Sequence, residues 1–139
     1  MLYTCTAAEE NLQLDELTEG KLVGWRVDLV KGNLTKEFEI KAPKDEKLGH
    51  LRPMNIVYEE EQEVIMVGDQ FGRIMVFDVG LARGLQKTFQ FNKTEEDKVS
   101  ALQFNQKNKL LFIGTAYSTV NIYKVVTGDG DTPFEFLEV

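Results

Sequence analysis

One cysteine, one histidine and three prolines are all that this chain offers of the residue types that staple a fold, shuttle protons or stiffen turns. The lone Cys5 excludes an internal disulfide and fits a reducing compartment. Because His50 and Cys5 are the sole imidazole and thiol and lie in separate parts of the chain, there is no supported Cys-His pair. Nor is there any repeated metal-ligand spacing. No apolar run approaches the ~20 residues that a membrane helix needs. Met1 to Asn11 has no basic stretch ahead of its apolar residues and soon turns acidic, which argues against a secretory signal. Lys and Arg are outnumbered by Asp and Glu, 16 to 23, for a net charge of −7. That balance argues against broad binding to phosphate backbones. The basic residues are scattered among acidic ones, as from Lys41 to Lys47, without interleaved aromatics.

Motif chemistry is equally sparse. Gly-x-Ser-x-Gly, the phosphate-loop pattern and the dinucleotide fingerprint are all missing. Thr127-Gly128-Asp129-Gly130-Asp131 lacks the later ligands and terminal Glu of a calcium loop and reads as a plain turn. The sequons at Asn33-Leu34-Thr35 and Asn92-Lys93-Thr94 read as unmodified surface loops. Glu59-Glu60-Glu61 and Glu95-Glu96-Asp97 read as solvated turn charges. No catalytic, cofactor-binding, metal or small-molecule site is expected.

What is present is a repeat. Residues 54–79 and 100–125 match without a gap: Tyr58 with Phe104, Gly68 with Gly114, Phe71 with Tyr117, Phe77 with Tyr123 and Val79 with Val125, each 46 positions apart. A fixed period near this length marks an array whose units cannot bury their apolar faces alone. Met54 to Tyr58 and Ser100 to Phe104 read as short strands. Val64-Ile65-Met66-Val67 and Leu110-Leu111-Phe112-Ile113 are unbroken apolar runs that fit strands covered on both faces. A third strand spans Arg73 to Val79 and Thr119 to Val125. A fourth is expected at Thr88-Phe89-Gln90-Phe91 and, 45 positions on, at Phe134-Glu135-Phe136. A partial copy lies upstream, with Leu2 to Ala7 resembling Leu111 to Ala116, Gly20-Lys21-Leu22 and Trp25 matching Gly72-Arg73-Ile74 and Phe77, and Phe38-Glu39-Ile40 matching Phe89-Gln90-Phe91. An acidic insert, roughly Ala8 to Glu19, separates its first two strands and reads as a solvated loop. Each unit is thus four short strands joined by tight turns, the pattern of one propeller blade.

These residues resemble the WD-repeat (tryptophan–aspartate repeat) β-propeller family over essentially the whole chain. Phe77-Asp78 stands at the family's dipeptide position, with Trp25-Arg26 and Tyr123-Lys124 as degenerate versions. Gly49-His50 stands at its Gly-His position and Gly72 at its turn glycine, which Ser118 replaces in the last unit. No unit keeps both His and Trp, so the family's hydrogen-bond network from that His to the Trp is expected to be absent, with His50 a structural loop residue and Trp25 a packing residue. The resemblance implies an all-β partial β-propeller of about three four-stranded antiparallel blades: residues 1–40 as a first blade lacking its innermost strand, 41–91 as the second and 92–139 as the third. An all-β sandwich, with pairing that crosses between units, is the competing architecture.

The resemblance further implies a non-catalytic, cytoplasmic scaffold for protein–protein interaction in a multi-subunit complex, with no nucleic acid, membrane or small-molecule partner. The alternative is the propeller portion of an enzyme or substrate-recognition subunit whose catalytic part lies outside this chain. Phe71 and Tyr117, equivalent turn aromatics on a face the family often uses for protein binding, are the first interface candidates. Arg52, Asn55 and Gln70 on the same side are weaker ones. Such propellers close with about four to eight blades. The chain is therefore expected to be a segment of a longer propeller, to close a ring with another polypeptide or a copy of itself, or to sit as an open stack in a large assembly. Uncovered strand edges pair with other chains. The isolated 139-residue chain should accordingly self-associate in light scattering, and a monomer that unfolds cooperatively would contradict this reading.

Overall fold

The structure, a computed structural model, describes all residues except 8, 12–15, 19, 45–49, 81–82, 91–97 and 127–134. Gly49, Phe91, the Asn92 sequon, Glu95 to Asp97, Thr127 to Asp131 and Phe134 lie outside the described residues. The described chain is all-β, and it divides into two compact units, Met1–Arg52 and Pro53–Val139.

In the first unit β1 (Leu2–Thr6), β4 (Gly20–Asp28) and β5 (Asn33–Ala42) form an antiparallel sheet in the order β1-β4-β5. Between β1 and β4 the acidic insert is not a plain loop. Its described residues form β2 (Glu9–Asn11) and β3 (Glu16–Thr18), paired Glu9 to Thr18 through Asn11 to Glu16. The Asn33 sequon likewise opens β5 instead of lying in a loop. Trp25, opposite Leu2, donates its indole N–H to Thr4 Oγ1 at 2.9 Å, which ties β4 to β1. Lys21 and Lys36 both pair with Glu39, at 3.5 and 2.5 Å. Both are partly exposed; the first joins β4 to β5 only weakly, and the second lies within β5.

The second unit holds two four-stranded antiparallel sheets. One contains β6 (Pro53–Glu59), β7 (Val64–Asp69), β8 (Arg73–Asp78) and β9 (Gly84–Gln90), in that order. The other contains β10 (Val99–Asn105), β11 (Leu110–Thr115), β12 (Val120–Val126) and β13 (Glu135–Glu138). Strand pairing stays within each set, as the repeat requires and as a sandwich with pairing across units would not.

The 46-residue register holds at the level of individual hydrogen bonds. Val79 N–H donates to Glu63 O at 2.9 Å, and 46 positions on Val125 N–H donates to Lys109 O at 2.8 Å. Glu63 and Lys109 both adopt left-handed backbone, with φ of 52° and 55°. Leu2 opposite Trp25, Ile65 opposite Phe77 and Leu111 opposite Tyr123 extend the same second-to-third-strand register to all three large sheets.

The fourth strands depart from expectation. Glu135, 45 positions after Gln90, pairs with Val126 at the end of β12, whereas Gln90 pairs with Arg73 at the start of β8; Phe136 lies opposite Val125 and Phe89 opposite Ile74. The two rings nevertheless stack, with centroids 4.8 Å apart and planes at 13°. Phe89 and Phe136 thus meet from facing sheets. In the first unit Ile40, not Phe38, lies opposite Leu22 where Phe89 lies opposite Ile74.

The core of the second unit lies between its two sheets. Val64, Met66, Ile74 and Val76 on one side meet Val99, Leu111, Ile113, Tyr123 and Val125 on the other, with Val57, Phe89, Leu102, Phe104 and Phe136 at the margin. Inner strand β10 also packs tightly on Gly68 of β7, where an added Cβ would lie 2.7 Å from Val99 Cγ1 and 3.0 Å from its Cβ. A β-branched side chain cannot swing away from such a clash. Gly68→Ala should therefore cost about 1–3 kcal/mol by overpacking, recovered in part by adding Val99→Ala. Gly114→Ala, at the equivalent position where an added Cβ meets nothing nearer than Ala101 Cβ at 3.3 Å, should stay within about 0.5 kcal/mol. Denaturant titration of the variants checks both.

Candidate functional site

At one end of the second unit, the turns after β7 and β11 present the expected interface residues. Asp69, the last residue of β7, organises the first of them. Its Oδ1 accepts the N–H groups of Phe71 at 2.9 Å and Arg73 at 3.1 Å, while its Oδ2 accepts Arg73 Nε. Both charged side chains are buried. Burial pushes the Asp69 carboxyl above its ordinary value, against the opposing pull of the Arg73 guanidinium and the two backbone donors. Gly72 closes the turn at φ 71°, a conformation open to glycine at no steric cost. Arg73 also lies 5.7 Å from the centroid of the Phe71 ring, a cation–π contact that fixes a half-buried aromatic at the turn.

The equivalent turn after β11 is built differently. Thr115 and Thr119 stand where Asp69 and Arg73 do, and their hydroxyls are 2.5 Å apart. The Thr115 N–H donates to Thr119 O at 2.9 Å. Ser118 takes the left-handed position at φ 62°, a strain that Gly72 avoids. Tyr117 is 65% exposed at the tip. So the two expected aromatics occupy like turns on neighbouring sheets, Phe71 held back and Tyr117 projecting. Asn55 pairs with Gly68 and Pro53 with Asp69, so the start of β6 shares this end of the sheet with exposed Gln70. Asn55 Oδ1 is buried without a hydrogen-bond partner among the described residues. Arg52, exposed, ends the first unit. There too the His50 ring nitrogens are buried without a hydrogen-bond partner among the described residues.

The opposite end of the second unit holds a group that reads from sequence as a solvated turn charge. Glu59 is fully buried at the end of β6. Its Oε1 accepts Lys109 Nζ and Gln106 Nε2, each at 2.8 Å, and its Oε2 accepts the Gln62 N–H at 2.7 Å. Gln106 Oε1 in turn accepts the Glu60 N–H at 3.0 Å, across the two sheets. Burial pushes the Glu59 carboxyl up, but the bonds from Lys109, Gln106, Gln62 and Glu61 outweigh it and hold the group below the usual carboxylate range. Lys109 is correspondingly raised: desolvation lowers it, and Glu59 and Glu61 more than compensate. The sequence did carry a signal for this clamp, an acidic turn, Glu59 to Glu63, one period before the basic Gln106 to Lys109.

Cys5 is half-buried on β1, and burial pushes its thiol up to about 12, so it stays protonated at neutral pH and is a poor nucleophile. Among the described residues no group of three or more His, Cys, Asp or Glu side chains is placed to hold a metal ion, and no helix is long and apolar enough to cross a membrane. No known family model matches the chain, and no curated protein matches it.

The Glu59 clamp gives a pH dependence of definite sign. A carboxyl lowered by folding contributes stability above its unfolded value, about 4.3, and loses it as pH falls through the lower folded value. Wild type should therefore lose stability between about pH 5 and pH 3 more steeply than Glu59→Gln, whose side chain does not titrate. Urea midpoints measured across that window test this, and parallel curves would remove the clamp from the stability of the unit.

Proposed function

We propose that this chain is a non-catalytic protein–protein interaction scaffold, forming part of a WD-repeat-like β-propeller within a multi-subunit complex in the cytoplasm. The observation that carries the reading is the shared register of the two four-stranded sheets, down to the Glu63–Val79 and Lys109–Val125 hydrogen bonds. A repeat maintained at that level makes rigid sheets whose turns differ in side chains while keeping their backbone shape. Rigid presentation lowers the ordering entropy lost on binding, so modest contacts suffice for affinity.

The chemistry of the turns fits the same role. Asp69 and Arg73 are consumed in holding a turn, with both side chains buried, and so do not face a reacting molecule. Tyr117 is the projecting aromatic, and Phe71 is a half-buried one braced by Arg73. Tyr and Phe offer large contact area with few rotatable bonds, the kind of anchor that dominates interfaces. Gln70, exposed beside Phe71, supplies a polar contact on the same turn, and Arg52 and Asn55 are weaker candidates. The lone, protonated thiol of Cys5 suits a reducing compartment.

The test is the mass and subunit composition of the native particle containing the chain. We expect a particle larger than the chain itself. In it, Phe71→Ala with Tyr117→Ala should reduce co-purifying subunits by about tenfold or more, since each lost anchor is worth about 1–2 kcal/mol. The chain's own stability should fall by no more than about 1 kcal/mol, the scale of the lost cation–π contact. A native chain that runs alone would sink the proposal.

A further inference from the structure

The second unit contains its own template for what a free sheet face binds. On the β6–β9 sheet, the side facing β10–β13 is written in three cross-strand rows: Asn55–Gly68–Ile74–Phe89, Val57–Met66–Val76–Lys87 and Glu59–Val64–Asp78–Gly84. The β10–β13 sheet repeats them as Ala101–Gly114–Val120, Gln103–Phe112–Ile122 and Asn105–Leu110–Lys124–Leu137. In the first sheet Gly68, Ile74, Met66, Val76 and Val64 are all buried by the following sheet. In the second, the same positions are open: Val120 is 68% exposed, Leu137 is 49% exposed, and Gly114, Phe112, Ile122 and Leu110 are only half-buried. A hollow of about 240 Å³ lies over Ala101, Gln103, Phe112, Gly114 and Val120. Gly114 forms its floor, where Gly68 receives Val99 in the first sheet.

We infer that this outer face of the β10–β13 sheet docks a further four-stranded sheet of the same kind, one that seats a β-branched residue on Gly114 and brings an acidic first turn. The occupant's shape follows from continuity with the interface already in the chain. Its charge follows from an inversion between the two copies. The buried interface sets Glu59 and Glu61 on the leading sheet against Gln106 and Lys109 of the following one. One period later Glu59 and Glu61 become Asn105 and Lys107, and Lys124 stands in the outer row where Asp78 stands in the first sheet. A second copy of the β10–β13 sheet would bring its own Lys107 and Lys109 to this basic end, and like charges oppose that pairing. An acidic turn is the complement.

The inference rests on the scaffold reading, and two measurements separate the failure of one from the failure of the other. A Val120→Cys variant is assembled in the native particle and its thiol labelling rate compared with that of the isolated chain. We expect labelling at least tenfold slower in the particle, and a return to within twofold of the isolated rate on adding Lys107→Glu with Lys124→Glu. Gly114→Val, which fills the socket without touching the buried core, should restore labelling as well. Open labelling at position 120 in an intact particle overturns the docking face while leaving the scaffold reading in place; a chain that forms no particle sinks the scaffold reading. Protection strengthened by the charge reversal, or exchange of differently tagged copies across this face, overturns the acidic partner.

In the isolated chain, residues 92–139 are appended after Val139 on a flexible linker, in native form and with Gln106→Glu, Lys107→Glu and Lys109→Glu in the appended copy. The acidic version should protect the original position 120 at least tenfold and more than the native version. Equal protection by both, or protection by neither, counts against the inference.

Discussion

The close approach of β10 to β7, at Val99 over Gly68, governs how the second unit is put together. Two twisted sheets can bury a common core only if their inner strands come near enough for the remaining side chains to interlock. A side chain at position 68 would hold Val99 away, and Met66, Ile74, Leu111 and Ile113 would then face a gap. The aromatic contacts at the outer strands, Phe89 stacked on Phe136 and edge-on to Tyr123, depend on the same spacing. So does the Glu59 clamp, whose partners Gln106 and Lys109 reach it only when the two first turns are in register.

The repeat is regular in backbone and irregular in chemistry, and the irregularity is where specificity resides. The turn after β7 spends a buried ion pair on its shape, and the turn after β11 manages with two threonine hydroxyls. A buried ion pair is a costly way to hold a turn, because the loss of one partner strands the other charge. The threonine version is cheaper and leaves Tyr117 more exposed. At the other end the sign of the charge reverses between copies. A sheet that is acidic toward its follower while the follower carries Lys107 and Lys124 at the equivalent positions would oppose the stacking of identical sheets.

Among the described residues of the second unit, the ionisable side chains that are deeply buried are occupied in structure. Glu59 joins two sheets, and Asp69 and Arg73 hold a turn. What the second unit leaves open is its turns and one sheet face. Those surfaces are presented by strands whose spacing is set by the core and not by any ligand.

Much of the β architecture was legible in the chain. The 46-residue spacing, the apolar runs ending at Gly68 and Gly114, and the alternation in β6 and β10 predict two matching sheets, and strand pairing within each set follows. The turn aromatics Phe71 and Tyr117 were found by the same spacing. The β2–β3 hairpin was not legible, because Glu-Glu-Asn and Glu-Leu-Thr carry neither alternation nor β-branched bias. Nor was the fate of Glu59: a glutamate in an acidic run reads as solvated until a lysine 50 positions away is brought to 2.8 Å. The run Leu110 to Ile113 looks as fully buried as Val64 to Val67, yet alternate residues stay half-open, since burial depends on whether another sheet lies on that face. The identity and mutual register of the first three strands in each repeat are local properties of apolar spacing and turn chemistry, so the amino-acid sequence determined them. Which charges are neutralised and which faces are covered depends on partners distant along the chain, so only the tertiary structure decided them.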